Sequence, residues 1–133
     1  MAEKSLVLIK PDAVERNIIG KILSIYEDND LKIVKMKMLK VSRDLAEQHY
    51  EEHKGRDYYD NLINYITRSA VVALVLEGED AIKKVRKLNG TTNPEKADEG
   101  TIRKLYALST NLNSVHASDS KENAEREIKL WFE

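Results

Sequence analysis

The stretch "AVVALVL", Ala70 to Leu76, is continuously apolar and is bounded by Gly78. An apolar run without alternation reads as a strand buried on both faces, so the chain must lay cover against each side of it. Such a strand belongs at the centre of a sheet, and the other segments must supply its neighbours and its layers. With 133 residues, 41% of them hydrophobic and 34% charged, the chain is long enough for one such core. One domain spanning residues 1–133 is expected.

The neighbours can be read from the same kind of pattern. "SLVLIK", Ser5 to Lys10, is a short buried strand ended by Pro11. "LKIVKMKMLKV", Leu31 to Val41, alternates apolar residues with lysine and slips phase at Ile33-Val34. It reads as an antiparallel strand near an edge, with one wet face. A last short strand is expected within Asn111 to Ala117.

Helical spacing joins Ile18, Ile22, Ile25 and Tyr26, with Asn17 as N-cap. Ser42 or Asp44 can open a helix through His53, and Tyr59, Leu62, Ile63 and Ile66 mark another, with Tyr58 and Leu62 on a second ridge. Asp80 begins a helix carrying Ile82 and Val85 that stops around Asn89-Gly90. A final helix runs from about Ser120 to Trp131. With the small helices set aside, the order is βαββαβ plus a terminal helix. That predicts an α+β, ferredoxin-like fold: a four-stranded antiparallel sheet covered by helices. Residues 89–102 form a long loop before the last strand, and a loop of that length in a compact domain points to function.

Composition removes several chemistries. There is no cysteine, so disulfides, thiolate metal sites and cysteine nucleophiles are excluded. A net charge of -1 gives no global drive towards nucleic acid or anionic membrane. No apolar run approaches a membrane span, and the N-terminus lacks a secretory core. A cytoplasmic protein with neither nucleic-acid nor membrane partner is expected.

The chain has only three histidines, and one lies in "NSVHASDS", among small and polar residues. Asp119 followed by Glu122 has the form of a capping box, which puts His116 at a strand end just before a helix. On that helix Ala124, Ile128 and Trp131 form the apolar stripe. Glu127 lies about 60° from Ala124 and about 40° from Trp131. A carboxylate so near the buried side needs a partner, and Ser118 and His116 are the candidates. A carboxylate on one imidazole nitrogen fixes the tautomer and leaves the other nitrogen free as a nucleophile or base. The alternative is an exposed loop histidine and a glutamate at a helix edge.

Lys10, Arg86 and Arg103 would make an anion site if they converge on His116, with Thr92 and Asn113 adding neutral hydrogen bonds. No Walker-type glycine loop occurs, so side chains would have to hold a phosphate.

Taken together, "LVLIKPDAVER", "RKLNGTTNPEKADEGTIR" and "NSVHASDSKENAEREIKLWF" resemble the nucleoside diphosphate kinase family, over Ser5 to Phe132. The Asn-x-x-His-(Gly/Ala)-Ser-Asp segment, Asn113 to Asp119, matches the family's signature. The resemblance implies a ping-pong transfer of the γ-phosphate from a nucleoside triphosphate, typically ATP, to a nucleoside diphosphate. It implies His116 as the nucleophile, phosphorylated at Nδ1, with Glu127 and Ser118 orienting its ring. By the same resemblance Lys10, Tyr50, Arg86, Thr92, Arg103 and Asn113 bind phosphates or sugar hydroxyls. Tyr58 stacks the base, with Leu62 beside it. Mg²⁺ arrives on the nucleotide phosphates, reached by Asp119 through water at most. A homo-oligomer, tetramer or hexamer built from dimers, is implied as well. Three positions depart from the usual family pattern: Tyr58 stands where Phe is common, Asp57 where proline is frequent, and Ala117 where glycine is commoner.

Two rival readings draw on other features. "HYEEH", His49 to His53, matches an H-x-x-E-H zinc motif, with two histidines one helical turn apart. It lacks an evident third ligand. The βαββαβ order also suits an RNA-binding sheet, but the strands "SLVLIK" and "AVVALVLE" carry no aromatic residue on which a base could stack.

Overall fold

The computed structural model describes residues 2–108, 112 and 114–133. Four strands, β1 (Ala2–Ile9), β2 (Lys32–Lys40), β3 (Ala70–Glu79) and β4 (Val115–Ala117), form one sheet in the order β2-β3-β1-β4. Every pairing is antiparallel. This is the ferredoxin-like arrangement that the element order predicts. The "AVVALVL" run occupies a central strand, and Val71 to Leu76 are all buried.

The period-2 geometry of the two central strands divides the core between the faces. Val7, Ile9, Val72, Leu74 and Leu76 pack with Ile22 and Tyr26 of α2 (Ile19–Asp28) and Val85 of α5 (Ala81–Asn89). Leu6, Leu8, Val71 and Ala73 face the other way. Their cover is Ala46 of α3 (Arg43–His49), Ile63 and Ile66 of α4 (Tyr59–Thr67), and Trp131 of α7 (Lys121–Phe132). Each fully buried Leu or Ile contributes about 1.5–3 kcal/mol relative to exposure, so both layers are strongly held. His116 pairs with Leu8 across β1 and β4, so the candidate nucleophile is tied to a strand of this core.

Several local expectations need correction. Two short helices escape the periodicity, α1 (Pro11–Glu15) and α6 (Ile102–Tyr106), because five residues are too few to display it. Asn17 lies in the left-handed region at φ 60°, and the residue preceding α2 is Ile18. Ser42 does cap α3, its Oγ accepting from the Leu45 N–H, but that helix ends at His49. A separate 3-10 turn spans Glu51–His53. Ser120 takes the N-cap of α7 and accepts from the Asn123 N–H. Asp119 instead accepts from the Asn123 side-chain amide at 2.6 Å, so the expected capping box does not form. The α5 N-terminus is capped from a distance: Glu3 Oε1 accepts from the Ile82 N–H at 2.9 Å. The long loop includes a 3-10 turn at Pro94–Lys96.

The phase slip at Ile33-Val34 is a β-bulge: Ile33 pairs with Leu76 and Lys35 with Val75, which leaves Val34 extra. β2 is an edge strand as expected, yet the apolar side of its alternation is not covered beyond the bulge. Lys35 and Lys37 reach over the Phe132 ring, 5.9 and 5.0 Å from its centroid. Met36 and Met38 are 56% and 57% exposed. The bulge keeps Met36 and Met38, opposite Leu74 and Val72, on the same face as Ile33, and there they stand exposed at the sheet edge.

Candidate active site

The site forms where the C-terminal end of β1, the short β4 and the helix after it meet α3 and α5. Lys10 follows β1 directly, and its backbone N–H donates to the Ser114 carbonyl at 2.8 Å. That bond ties the approach to β4 onto the end of β1. Ser114 itself lies in the left-handed region at φ 72°. Its Oγ donates to Asp12 Oδ2 at 3.2 Å, and Arg16 donates to the same carboxylate at 3.3 Å. Tyr65 Oη donates to the other oxygen of Asp12. A buried carboxylate with three donors is well compensated, and this one fastens α1, α4 and the residue before β4 together.

His116 is partly open, with its side chain 23% exposed. Its Nε2 lies 3.2 Å from Glu127 Oε2, while Ser118 Oγ donates to Glu127 Oε1 at 2.7 Å. Ser118 is fully buried and also accepts from the Leu6 N–H at 3.1 Å. Glu127 thus accepts from both partners that its position on α7 calls for. With the ring proton on Nε2, Nδ1 retains its lone pair. The exposed-loop alternative for His116 and Glu127 does not hold.

A cleft of about 490 Å³ opens in front of this pair. Lys10, Tyr50, Tyr58, Leu62, Arg86, Thr92, Arg103, His116 and Glu127 all line it, with Asp119 also at its wall. The three cations do converge. Ser118 lies beneath the cleft as the support of Glu127. Asn113 falls outside the described residues.

The electrostatics are those of a buried anion site. Lys10 is only 8% exposed, and its pKa is brought down to about 8, first by burial and then by the Arg103 charge, with Asp12 opposing. Burial also lowers Arg103, which is held by donating to the Gly90 and Val115 carbonyls at 2.7 and 2.8 Å. Gly90 has φ +89°, and a Cβ there would stand 2.7 Å from Thr101 Oγ1, so a side chain would disrupt the turn that Arg103 grips. The hydrogen bond from Asn123 holds Asp119 below the usual carboxylate range. Tyr50 is buried at the cleft wall, and its hydroxyl has no hydrogen-bond partner among the described residues. An unpaired buried hydroxyl in such a place is ready for a ligand's acceptor.

A family model described as nucleoside diphosphate kinase matches residues 3–133. The chain belongs to the nucleoside diphosphate kinase family. It is 67% identical over 130 residues to a nucleoside diphosphate kinase of Clostridium perfringens, covering 98% of this chain and 91% of that protein. It is 54% identical over 132 residues to one from Methanocaldococcus jannaschii, covering 99% of this chain and 94% of that one. Among solved structures, the Aquifex aeolicus nucleoside diphosphate kinase superposes with a TM-score of 0.96 at 37% identity, covering 100% of this chain and 96% of that one.

Family membership leaves the "HYEEH" motif to be explained, and the geometry explains it without zinc. Because α3 stops at His49, the two histidines are not one turn apart on a continuous helix. His49 is buried and accepts at Nδ1 from the Trp131 indole N–H at 3.1 Å. Its ring stands edge-on to His116, with centroids 4.7 Å apart. Burial, then the charges of His116, Arg126 and Lys10, hold His49 well below the usual histidine range, so it stays neutral. His53 lies 2.7 Å from the Tyr58 hydroxyl. Among the described residues, the one set of three potential ligand groups close together is His49, His116 and Glu127, and His53 has no part in it.

His49 is therefore a residue of the site that reading the motif as a metal signature misses, and so is Asp12. The signal for Asp12 is "KPD", an acid just after the strand end in a segment that turns out buried. No comparable signal links His49 to Trp131 or to His116.

Proposed function

We propose that this chain is a nucleoside diphosphate kinase working by a ping-pong cycle through a phosphohistidine on His116. The observation that carries the reading is the pairing of His116 Nε2 with Glu127 at the wall of a cleft whose lining includes the cations Lys10, Arg86 and Arg103. Nδ1 then presents its lone pair to the γ-phosphorus of a nucleoside triphosphate, typically ATP. The N–P bond forms as the bond from phosphorus to the β-phosphate oxygen breaks, and the diphosphate leaves. A second nucleoside diphosphate returns through the same geometry, its terminal oxygen taking the phosphoryl group from Nδ1.

Phosphoryl transfer needs mainly alignment and charge neutralisation. Lys10, Arg86 and Arg103 supply the charge, and Tyr50, Thr92 and Asn113 supply hydrogen bonds to phosphate or sugar oxygens. Tyr58 and Leu62 make an apolar wall for the base, which reads no donor or acceptor pattern and so accepts many bases. A cleft lined by Lys10, Arg86, Arg103 and Arg126 against few carboxylates fits Mg²⁺ that travels on the nucleotide, and Asp119 is the residue that would reach it, through water. When bound, the ion would supply further neutralisation of the phosphate charge.

The same reading includes one domain over residues 1–133 acting in the cytoplasm. No described helix is long and apolar enough to cross a membrane. It also includes a homo-oligomer, tetramer or hexamer built from dimers. Exposed Met36 and Met38 on the free-edge strand and exposed Leu105 and Leu108 support association.

The test is incubation with γ-labelled ATP and Mg²⁺ in the absence of acceptor, comparing the protein with His116→Ala. The expected outcome is acid-labile, alkali-stable label on the unaltered protein alone, discharged by GDP. Label retained by folded His116→Ala would move the nucleophile elsewhere, and a folded, phosphate-free protein that takes none would end the reading.

A further inference from the structure

Tyr58, the platform proposed for the base, is held in an unusual way for a residue on which a ligand must stack. It is 46% exposed and sits just before α4, with no side-chain cap of its own. The residues leading to it, 54–57, are all exposed. Gly55 there has φ +89° and open space around it. Backbone bonds in this lip are turns of short range, such as Arg56 N–H to the His53 carbonyl and Tyr59 N–H to the Arg56 carbonyl, both at 3.0 Å. A ring carried on such a segment has little to fix it.

What does fix it is a side chain. His53 Nδ1 is 2.7 Å from Tyr58 Oη, and the two rings meet edge-on with centroids 5.4 Å apart. His53 is itself anchored inward. Its ring lies edge-on to Tyr50 at 5.9 Å, and Tyr50 lies edge-on to His49 at 4.7 Å. His49 accepts from the buried Trp131. A ladder of five rings, Trp131, His49, Tyr50, His53 and Tyr58, therefore runs from the core beneath His116 out to the lip, and its last rung is the hydrogen bond to Tyr58.

We infer that His53 is a positioning residue for base recognition, holding the Tyr58 ring as a preformed stacking surface through the Nδ1–Oη hydrogen bond. The inference rests on reading the cleft as a nucleotide site. Its physical content is pre-organisation. A free tyrosine at the lip would lose its rotamer freedom when the base arrives, whereas a ring already bonded in place pays little of that cost on binding. The expected effect is on nucleotide affinity, by about three- to tenfold for one such bond. The chemistry at His116, at the other end of the ladder, is untouched.

The experiment measures KM and kcat for GDP and for ATP in the unaltered protein, His53→Leu, His53→Asn, Tyr58→Phe and the double variant His53→Leu/Tyr58→Phe. Ribose 5-triphosphate, the same donor without a base, is tested alongside. His53→Leu is expected to raise both nucleotide KM values about three- to tenfold, leave kcat within about twofold, and leave use of the base-free donor unchanged. Asn can place an oxygen where Nδ1 stood and should restore the unaltered KM. Tyr58→Phe cuts the same bond from the other side, and adding His53→Leu to it should change nothing further.

An unchanged KM in His53→Leu, an equal loss with the base-free donor, or additive effects in the double variant would each overturn the inference while leaving the phosphohistidine reading intact. Failure of the unaltered protein to take label from ATP would bring both down.

Discussion

The two ends of the cleft are built to different standards. At the phosphate end, the candidate nucleophile pairs across the sheet with a core strand, and its carboxylate partner is buried and bonded twice. The flanking cation, Lys10, is almost wholly enclosed. At the base end, Tyr58 is exposed, and among the described residues the lip is fastened by one side-chain bond. The difference follows from what each end handles. A transferring phosphoryl group rewards charges fixed in a low-dielectric setting, where a small misplacement is costly. A base held by stacking needs only a flat apolar surface, and a loosely built lip can provide it.

This contrast can be broken most directly at Glu127. Glu127→Gln keeps the size but can donate to Nε2, which would move the ring proton to Nδ1 and remove the attacking lone pair. The rate of phosphohistidine formation should fall by about 10²- to 10⁴-fold, by analogy with tautomer errors in other histidine sites. Rapid-quench measurement with labelled ATP checks it, and a change below about threefold would detach Glu127 from the chemistry.

The base end should respond in a different kinetic constant. Tyr58→Ala removes the stacking face and should raise nucleotide KM by about 5- to 150-fold, from about 1–3 kcal/mol of stacking, with kcat little altered. Steady-state kinetics over several bases would show the loss. A fall in kcat at unchanged KM would mean that the two ends are coupled more tightly than their construction suggests.

The smallest effect is on pH dependence. Lys10 has its pKa lowered from 10.5 to about 8 by burial, so its positive charge in the empty cleft is lost as pH rises through about 8. Without that charge phosphate binding weakens, and kcat/KM should decline above about pH 8. Lys10→Arg, which stays charged, should flatten that limb. The stability linkage has the opposite sense: the unfolded chain keeps this proton up to about 10.5, so unfolding should become harder between about pH 8 and 10.5. An unfolding titration and a pH–rate profile on the same samples would check both directions.

Much of this contrast is legible before any coordinates. The carboxylate of Glu127 sits beside the apolar stripe of its helix, which already calls for a partner, and Ser118 and His116 are close enough in the chain to be named. The phase slip at Ile33-Val34 is a bulge, as an alternation that loses one step must be. Other relations leave no local trace. The Trp131–His49 bond spans 82 positions and the Tyr65–Asp12 bond 53, and neither belongs to a repeating pattern. Short α1 and α6 hide for a related reason, since five residues make little more than one turn.

The sequence by itself determined the central strand and the βαββαβ order, because burial on two faces and periodic burial on one are written in the spacing of apolar residues, and its motifs carried the resemblance to the family. It also marked His116, Glu127, Ser118 and the basic residues as a set worth joining. Only the tertiary structure decided that Lys10, Arg86 and Arg103 meet at one cleft, and that His49 packs against His116 and Trp131, apart from His53. It alone decided that the methionines of β2 stand exposed. Those outcomes depend on distances between segments remote in the chain, and such distances are fixed by packing, which no local spacing records.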